Sequence, residues 1–180
     1  MYSFDSLQFR YISHSDLGDI VRMLKKNSVC KYLFFGPNTA EETVDYFTPH
    51  IENIQRELAE GIRPANSIFV IRENGQYIGN CALLPVPYST GNFTVSYTID
   101  DIFWSRGYGT QACRFLIRFG FRELKARRLT GECMSGNTGS WKIMENSGFT
   151  LEGRQKEYWE NETGFDDNLL FGLLNPSFVR

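Results

Sequence analysis

The segment with the clearest chemical potential is the glycine-rich run RGYGTQ at 106–111. Gly107 and Gly109 have no Cβ, so the backbone there can approach a ligand closely. A helix that begins at this point presents unpaired backbone N–H groups and the positive end of its dipole, and together these bind anions. Arg106 adds a charge-assisted contact to the same anion. The run predicts either a pyrophosphate site or a plain glycine turn that starts a helix.

The same glycines also match the dinucleotide fingerprint G-x-G-x-x-A, with Ala112 last and Glu132 placed for a ribose hydroxyl. In a dinucleotide fold the first glycine directly follows its strand. Here residues 100–106 separate Gly107 from the predicted strand end at Ile99. Nicotinamide-dinucleotide binding is therefore the less favoured interpretation.

Strands and helices must position this run, and the apolar pattern predicts both. Alternating apolar residues indicate strands, helical spacing indicates amphipathic helices, and Asn74-Gly75 indicates a tight hairpin. Residues 27–38 are predicted as a loop, and Pro49 is expected to kink or split the helix that starts at Thr39. The predicted strands are 7–12, 67–72, 77–84, 93–99, 128–134, 150–159 and 167–174. The other predicted helices are one from residue 15 or 16, 108–125 and 138–147.

Three of these strands follow one another in sequence, which argues against a purely parallel, doubly wound fold. The order favours an α/β (α+β) domain with one mixed sheet flanked by helices. A chain of 180 residues with 42% hydrophobic residues suits a single domain spanning residues 1–180.

Charge and cysteine usage restrict the class of protein further. A formal net charge of -2 gives no bulk positive field, so we expect no direct nucleic-acid partner. The four cysteines are scattered, and the two histidines, His14 and His50, lie far from the motifs, so no metal site or triad is expected. No signal peptide or membrane-spanning run is recognised, and we expect a cytoplasmic protein in a reducing compartment.

Two motifs carry a resemblance to a known family. The stretch FWSRGYGTQA at 103–112 resembles the acetyl-CoA motif of the GCN5-related N-acetyltransferases, the GNAT superfamily. The stretches NTGS at 137–140 and ENSGF at 145–149 fit that family's pattern N-x-x-S-x-x-x-x-E-x-x-G-F. The resemblance implies a splayed central sheet and transfer of an acetyl group from acetyl-CoA (coenzyme A) to an amine.

A third stretch narrows the resemblance. The residues VCKYLFFGP at 29–37, TAEE at 39–42 and Phe47 are similar to the ribosomal-protein N-terminal acetyltransferases, the RimJ/RimL-like branch. The similarity extends over about residues 7–175. Members of that branch acetylate several kinds of amine, so the branch does not name the acceptor.

The resemblance also implies roles for particular residues. The backbone of Tyr97, Thr98 and Ile99 would pair with the pantetheine arm, and Asn137 would contact that arm from the other side. The plain interpretation of Asn137 is a helix N-cap. The pyrophosphate would be held by Arg106, Gly107, Tyr108, Gly109, Thr110 and Gln111.

The resemblance suggests a candidate for the catalytic acid but none for the catalytic base. Many family members use a helix tyrosine as the acid, but that position is Met144 here, and Ser140 matches the serine proposed in the ribosomal-protein branch. The alternative interpretation is that Ser140 contacts only the cofactor. The usual strand glutamate falls on Thr94, which is no base at neutral pH. The carboxylates of Asp100, Asp101 and Glu132 are left as alternatives, and no base is assigned.

The acceptor also stays open at this stage. A protein N-terminal amine is one expectation, and a small amine such as an antibiotic or polyamine is the alternative. A small, positively charged acceptor usually requires an acidic pocket wall. Glu41, Glu42 and Asp45 could form such a wall, or they could simply be the acidic start of a helix. A non-catalytic acyl-CoA binding module is a third hypothesis. A homodimer formed through the final strands is also considered, because exposed edge strands favour pairing. No membrane partner is expected.

Overall fold

The computed structural model describes residues 1–161 and 164–178. Its strands are β1 (Tyr2–Phe4), β2 (Leu7–Tyr11), β3 (Ser67–Glu73), β4 (Gln76–Pro85), β5 (Asn92–Ile99), β6 (Arg128–Met134), β7 (Thr150–Asn161) and β8 (Gly164–Leu174). Its α-helices are α1 (Leu17–Leu24), α2 (Asn27–Cys30), α3 (Ala40–Ala59), α4 (Tyr108–Arg122) and α5 (Thr138–Asn146).

The described strands form one sheet in the order β1-β2-β3-β4-β5-β6-β8-β7. β5 and β6 are parallel, and the other neighbouring strands are antiparallel. This mixed sheet with flanking helices confirms the predicted single α/β domain. The Asn74-Gly75 hairpin is also confirmed, because both residues have the positive φ values, 48° and 82°, that such a turn requires.

The structure corrects the predicted elements at four places. β1 was missed, because a three-residue strand carries almost no periodic signal. α2 occupies the start of the segment that was predicted to be a loop. α4 ends at Arg122, three residues before the predicted end.

The fourth correction concerns α3, which runs as one helix through Pro49. Of the two expected outcomes, a kink or a split, the split does not occur. Thr39 and Glu42 form a capping box at its start, with the Glu42 N–H donating to Thr39 Oγ1 at 3.1 Å. Phe47 and Ile51 flank the proline and are buried in the core, so packing stabilises the helix across the missing hydrogen bond.

The sheet separates two apolar clusters. On one face, α4 and α5 pack on the sheet, and Phe9 stacks on Phe115 at 3.8 Å between ring centroids. On the other face, α1 and α3 cover the first strands with residues such as Ile20 and Ile51. Burying one such side chain stabilises the fold by about 1.5–3 kcal/mol, so the two clusters fix which helix lies on which face.

β7 lies at one edge of the sheet, so the strand that a homodimer would use is present, and the dimer itself stays a prediction. Among the described helices, none combines the length and the apolarity needed to cross a membrane.

Candidate active site

β5 and β6 begin as neighbours and then separate. Their pairing covers only Asn92 to Thr94 on β5 and Arg128 to Thr130 on β6. Beyond Thr94, β5 stays paired with β4 and presents its other edge to a gap. Backbone N–H and C=O groups along such an edge need partners, and an extended ligand can supply them as an added strand would.

The packing of α5 explains where the strands separate. A Cβ on Gly131 would lie 2.7 Å from Met144 Sδ and 3.1 Å from Val95 Cγ2. Met144 therefore sits directly against the sheet at the point of divergence, and it is 1% exposed. Met144 thus helps to form the gap.

A cavity of about 550 Å³ continues from this gap. Its walls come from the end of β5, the start of α4, the start of α5 and the segment around α2. The predicted site residues that line it are Tyr97, Thr98, Ile99, Gly107, Tyr108, Gly109, Thr110, Asn137 and Ser140. The two others, Arg106 and Gln111, are not among its lining residues.

The wall formed by α4 offers backbone groups. Gly107 precedes the helix in the left-handed conformation, with φ at 79°, and no side chain caps the helix. The first bond across this turn runs from the Gln111 N–H to the Gly107 carbonyl at 3.1 Å. The preceding amides of the first turn have no helical partner and can bind an anion.

Gly109 has a packing role that its place in the motif did not reveal. A Cβ there would lie 2.6 Å from Cδ1 of Ile143, a residue of α5 that also lines the cavity. The glycine therefore allows α4 and α5 to approach each other beside the cavity.

The side chains of Arg106, Tyr108 and Gln111 make contacts away from the free amides of the first turn. Arg106 is exposed, with its guanidinium 5.5 Å from the ring centroid of Phe103. The Tyr108 phenol donates a hydrogen bond to Glu73 at the end of β3, and this bond raises the pKa of Tyr108. Gln111 Oε1 is buried with no hydrogen-bond partner among the described residues.

Trp104 closes the end of β5. Its indole N–H donates to the Ile99 carbonyl at 2.7 Å, and the ring lines the cavity. A carbonyl has two lone pairs, so Ile99 retains one acceptor position for a ligand. Sequence reasoning did not identify this tryptophan as a wall of the site.

The wall formed by α5 offers side-chain groups. Asn137 caps the helix, with its Oδ1 accepting from the Ser140 N–H at 3.1 Å, as the plain interpretation of its position predicted. The Tyr97 phenol donates to the Ser140 carbonyl oxygen at 3.0 Å and lies 3.2 Å from Ser140 Oγ. Two hydroxyl groups, one from β5 and one from α5, therefore meet in the cavity wall.

Burial governs the titratable groups beside this pair. It raises the pKa of the Tyr97 phenol well above its ordinary value, although the hydrogen bond with Ser140 opposes the shift. It also raises the pKa of the Cys133 thiol to about 11. Both groups are therefore protonated near neutral pH.

The carboxylates that follow β5 are engaged in an ion pair. Lys26 Nζ lies 2.5 Å from Asp100 Oδ1 and 2.6 Å from Asp101 Oδ1. Ser28 Oγ donates to Asp101 at 2.5 Å. The hydrogen bonds from Lys26 and Ser28 hold the pKa of Asp101 well below its usual value. Asp101 stays ionised and paired, which makes it a poor base, and the cluster ties α2 to the segment that leads into α4.

Glu132 is placed differently. It lies two residues beyond Thr130, the last residue of β6 that pairs with β5. Its side chain is on the face opposite to Gly131 and Cys133 because side chains alternate along a strand. Its Oε2 accepts from Asn168 Nδ2 at 2.9 Å. Its carboxylate is exposed to solvent on the side of the sheet away from Ser140.

Aromatic residues after α2 reach across to the last strands. Phe34 stacks on Trp159 of β7 at 4.1 Å between centroids. Tyr32 lines the cavity and lies against Gly136, where a Cβ would be 3.3 Å from its ring. The segment after α2 therefore connects the cavity wall to β7 at the edge of the sheet.

In the described part of the chain, no group of three or more His, Cys, Asp or Glu residues is arranged to hold a metal ion.

Comparison with known proteins agrees with this geometry. The family model described as "Acetyltransferase (GNAT) domain" matches residues 6–150. The chain belongs to this family. Because the family transfers acetyl groups from acetyl-CoA, the protein is an acetyl-CoA-dependent N-acetyltransferase, and the family resemblance noted in the sequence is confirmed.

A curated relative matches along most of the chain. The uncharacterized N-acetyltransferase p20 of Bacillus licheniformis is 24% identical over 175 residues, covering 97% of this chain and 96% of the relative. Its own acceptor is not named in its description.

Two solved structures share the fold. Spermidine N-acetyltransferase from Vibrio cholerae, in complex with CoA and spermine, has a TM-score of 0.81 at 18% identity, covering 94% of this chain and 96% of that chain. The ribosomal-protein-S5-alanine acetyltransferase from Vibrio fischeri has a TM-score of 0.80 at 18% identity, covering 99% and 98%. At these identities the likeness establishes the fold, and the neighbours include the ribosomal-protein type.

Proposed function

We propose that this GNAT enzyme acetylates the N-terminal amine of a peptide or protein. The observation that supports a peptide is the composition of the cavity wall, since none of its lining residues is acidic. A polyamine acceptor would require carboxylates to neutralise its several charges. Glu41, Glu42 and Asp45 lie at the start of α3 and are not among the lining residues.

The residues of the cavity fit acetyl-CoA. The open edge of β5 at Tyr97, Thr98 and Ile99 would bind the pantetheine arm, and Asn137 would face that arm from α5. The uncapped amides from Gly107 onward would hold the pyrophosphate, which explains why a wall without lysine or arginine side chains can bind it. When bound, acetyl-CoA supplies an activated acetyl group.

The remaining chemistry falls to side chains. Ser140 would donate a proton to the departing thiolate, since its hydroxyl lies in the cavity wall. Glu132 would accept the amine's proton, directly or through water, on the face of the sheet opposite to Ser140. Two observations support this role: Glu132 lies on β6 beyond the residues that pair with β5, and the alternative carboxylate, Asp101, is committed to Lys26. Glu132→Gln should then lower kcat, measured by steady-state kinetics at a saturating acceptor concentration.

The test of the proposal is an acceptor competition. The purified protein is first titrated with acetyl-CoA by calorimetry, and then incubated with acetyl-CoA and a mixture of short peptides and spermidine. The peptides carry either a free N-terminus or a blocked N-terminus with a free lysine. We expect acetylation of the free N-termini, detected by mass spectrometry, with a kcat/KM at least tenfold above that for spermidine.

Three results would contradict the proposal in different ways. Preferred acetylation of spermidine would replace the peptide by a polyamine. Preferred acetylation of lysine would replace the N-terminus by a side-chain amine. Binding of acetyl-CoA without transfer to any amine would favour the acyl-CoA binding module.

A further inference from the structure

The structure brings together two hydroxyl groups that the sequence separates by 43 positions, those of Tyr97 and Ser140. Tyr97 is on β5 and its side chain points to the face covered by α4 and α5. Ser140 is in the first turn of α5. Both residues line the same cavity, although only backbone groups of Tyr97 were assigned a role from the sequence.

The phenol has one hydrogen and two acceptors within reach. One acceptor is the Ser140 carbonyl at 3.0 Å, and the other is Ser140 Oγ at 3.2 Å. If the phenol donates to the carbonyl, its own oxygen can accept the Ser140 hydrogen and draw it away from the cavity. If the phenol donates to Oγ, the Ser140 hydrogen is free to point into the cavity.

Negative charge on Ser140 would decide between these arrangements. A serine hydroxyl is a weak acid, and charge accumulates on its oxygen as it gives up a proton. A hydrogen bond to an ionised acceptor is roughly twice as strong as one to a neutral acceptor. The hydrogen bond from the Tyr97 phenol to Ser140 Oγ is therefore strongest at the moment when Ser140 acts as an acid.

From this geometry we infer that Tyr97 is a positioning residue for Ser140, and that the two hydroxyls act as one donor unit for the sulfur of the leaving coenzyme A. The inference rests on the proposed transfer reaction. The proton of Ser140 Oγ passes to sulfur as the carbon–sulfur bond breaks, while Tyr97 stabilises the serine oxygen with its hydrogen. Ser140 then recovers a proton from water, and the proton that the amine loses passes to Glu132 and from there to water.

The position of Met144 supports the assignment. Met144, one turn further along α5, is a buried methionine and has no proton to donate. The phenol beside this helix comes from β5, and it reaches the first turn of α5. Its contact with both the carbonyl and the hydroxyl of Ser140 fixes the backbone and the side chain together.

The experiment measures the thiol pKa of bound coenzyme A, which requires no acceptor. Ultraviolet absorbance of the thiolate is followed against pH for the complex and for the free protein, so that the protein's own thiols are subtracted. Donors aimed at sulfur favour the thiolate and lower the thiol pKa. In Tyr97→Phe we expect the thiol pKa to rise by about one unit relative to wild type, with the Kd for coenzyme A within about twofold.

Matched variants separate positioning from general damage. Tyr77→Phe removes another buried strand phenol, whose hydroxyl faces Met23 Sδ, and should leave the bound thiol pKa unchanged. Ser140→Ala should raise it at least as much as Tyr97→Phe does, and the double variant should match Ser140→Ala, because Tyr97 acts through Ser140.

A second substitution covers the case in which Tyr97→Phe fails to fold. Fluorotyrosine at position 97 keeps the ring and strengthens the phenol as a donor, so the bound thiol pKa should fall. An unchanged thiol pKa in both the phenylalanine and the fluorotyrosine variants would overturn the inference. Failure of the wild type to bind coenzyme A would instead overturn the proposed function.

Discussion

The two helices that begin at the cavity are anchored in opposite ways. α4 begins at Gly107 with a left-handed residue and no side-chain cap, so its first amides stay free. α5 begins at Asn137, whose side chain occupies the Ser140 amide, and Tyr97 holds the same turn from the sheet. An uncapped helix start can bind an anion with its backbone, whereas a capped start fixes a side chain in place. The α4 wall is thus suited to binding and the α5 wall to chemistry.

The largest effect should come from the α5 wall. Ser140→Ala removes the proposed proton donor and should lower kcat about 100-fold, the lower end of the usual range for acid–base catalysis. The Kd for acetyl-CoA should change by less than about threefold, because the Asn137 cap binds the backbone amide and not the hydroxyl. Steady-state kinetics and calorimetry check both numbers.

Ser147→Ala provides the control for this variant. Ser147 ends the same helix and is not among the lining residues of the cavity, so its loss should leave kcat unchanged. Parallel losses of kcat and affinity in Ser140→Ala would mean that Ser140 only binds the cofactor.

On the α4 wall, we expect acetyl-CoA binding to be most sensitive to substitution of Gly109, where α4 packs closely against α5. Gly109→Val places a Cβ only 2.6 Å from Ile143 Cδ1. This contact is too short, so the valine pushes the Ile143 side chain toward the cavity. The displaced Ile143 side chain narrows the cavity, so calorimetry should show acetyl-CoA affinity reduced roughly 30-fold, which is about 2 kcal/mol of binding free energy.

Gly18→Val is the matched change in α1, where a Cβ would meet nothing within 4 Å. It should leave acetyl-CoA binding unaltered. Wild-type affinity in Gly109→Val would show that the two helices can separate without disturbing the cavity.

The α4 wall also depends on the ion pair of Lys26 with Asp100 and Asp101. Lys26→Met leaves Asp100, which is 1% exposed, without its cation and should reduce the free energy of unfolding at pH 7 by about 1.5 kcal/mol. This value is below that for a fully buried pair because the Lys26 side chain is 28% exposed. Urea unfolding measures the difference.

The pH dependence of this effect has a definite sign. The pKa of Asp101 is lower in the folded than in the unfolded state, so its stabilising contribution is present above its unfolded pKa of about 4. It is lost as the pH falls through the folded value. Wild type and Lys26→Met should therefore converge progressively in stability as the pH falls below about 4, the usual pKa of an aspartate.

Lys25→Met controls for the loss of a lysine, because Lys25 is exposed and forms none of these bonds. It should unfold as the wild type does at every pH. A constant gap between Lys26→Met and wild type down to pH 2, roughly two units below the ordinary aspartate pKa, would assign the effect to packing.

The smallest effect is expected at Gly107. Its φ of 79° is unfavourable for a residue with a Cβ, and a Cβ there would meet nothing within 4 Å, so Gly107→Ala adds strain alone. We expect a loss of about 1 kcal/mol in the free energy of unfolding. Gly107→Asn should lose less, since asparagine tolerates the left-handed region. Equal losses in both variants would point to a steric cause.

Much of the site followed from short stretches of sequence. The glycine run predicted the start of α4, and Asn137 predicted the cap of α5, because both signals depend on residues within one helical turn. Of the two outcomes expected at Pro49, a kink or a split of α3, the split was wrong, since burial of Phe47 and Ile51 outweighs a local propensity.

The sequence by itself determined the family, the order of the long elements and the position at which α4 begins. Only the tertiary structure decided that Tyr97 faces Ser140, that Lys26 pairs with Asp100 and Asp101 more than 70 positions away, and that β5 and β6 part beside Met144. Local conformation depends on neighbours along the chain. The contacts between distant side chains depend on how whole elements pack, and the spacing of residues in one segment carries no record of that packing.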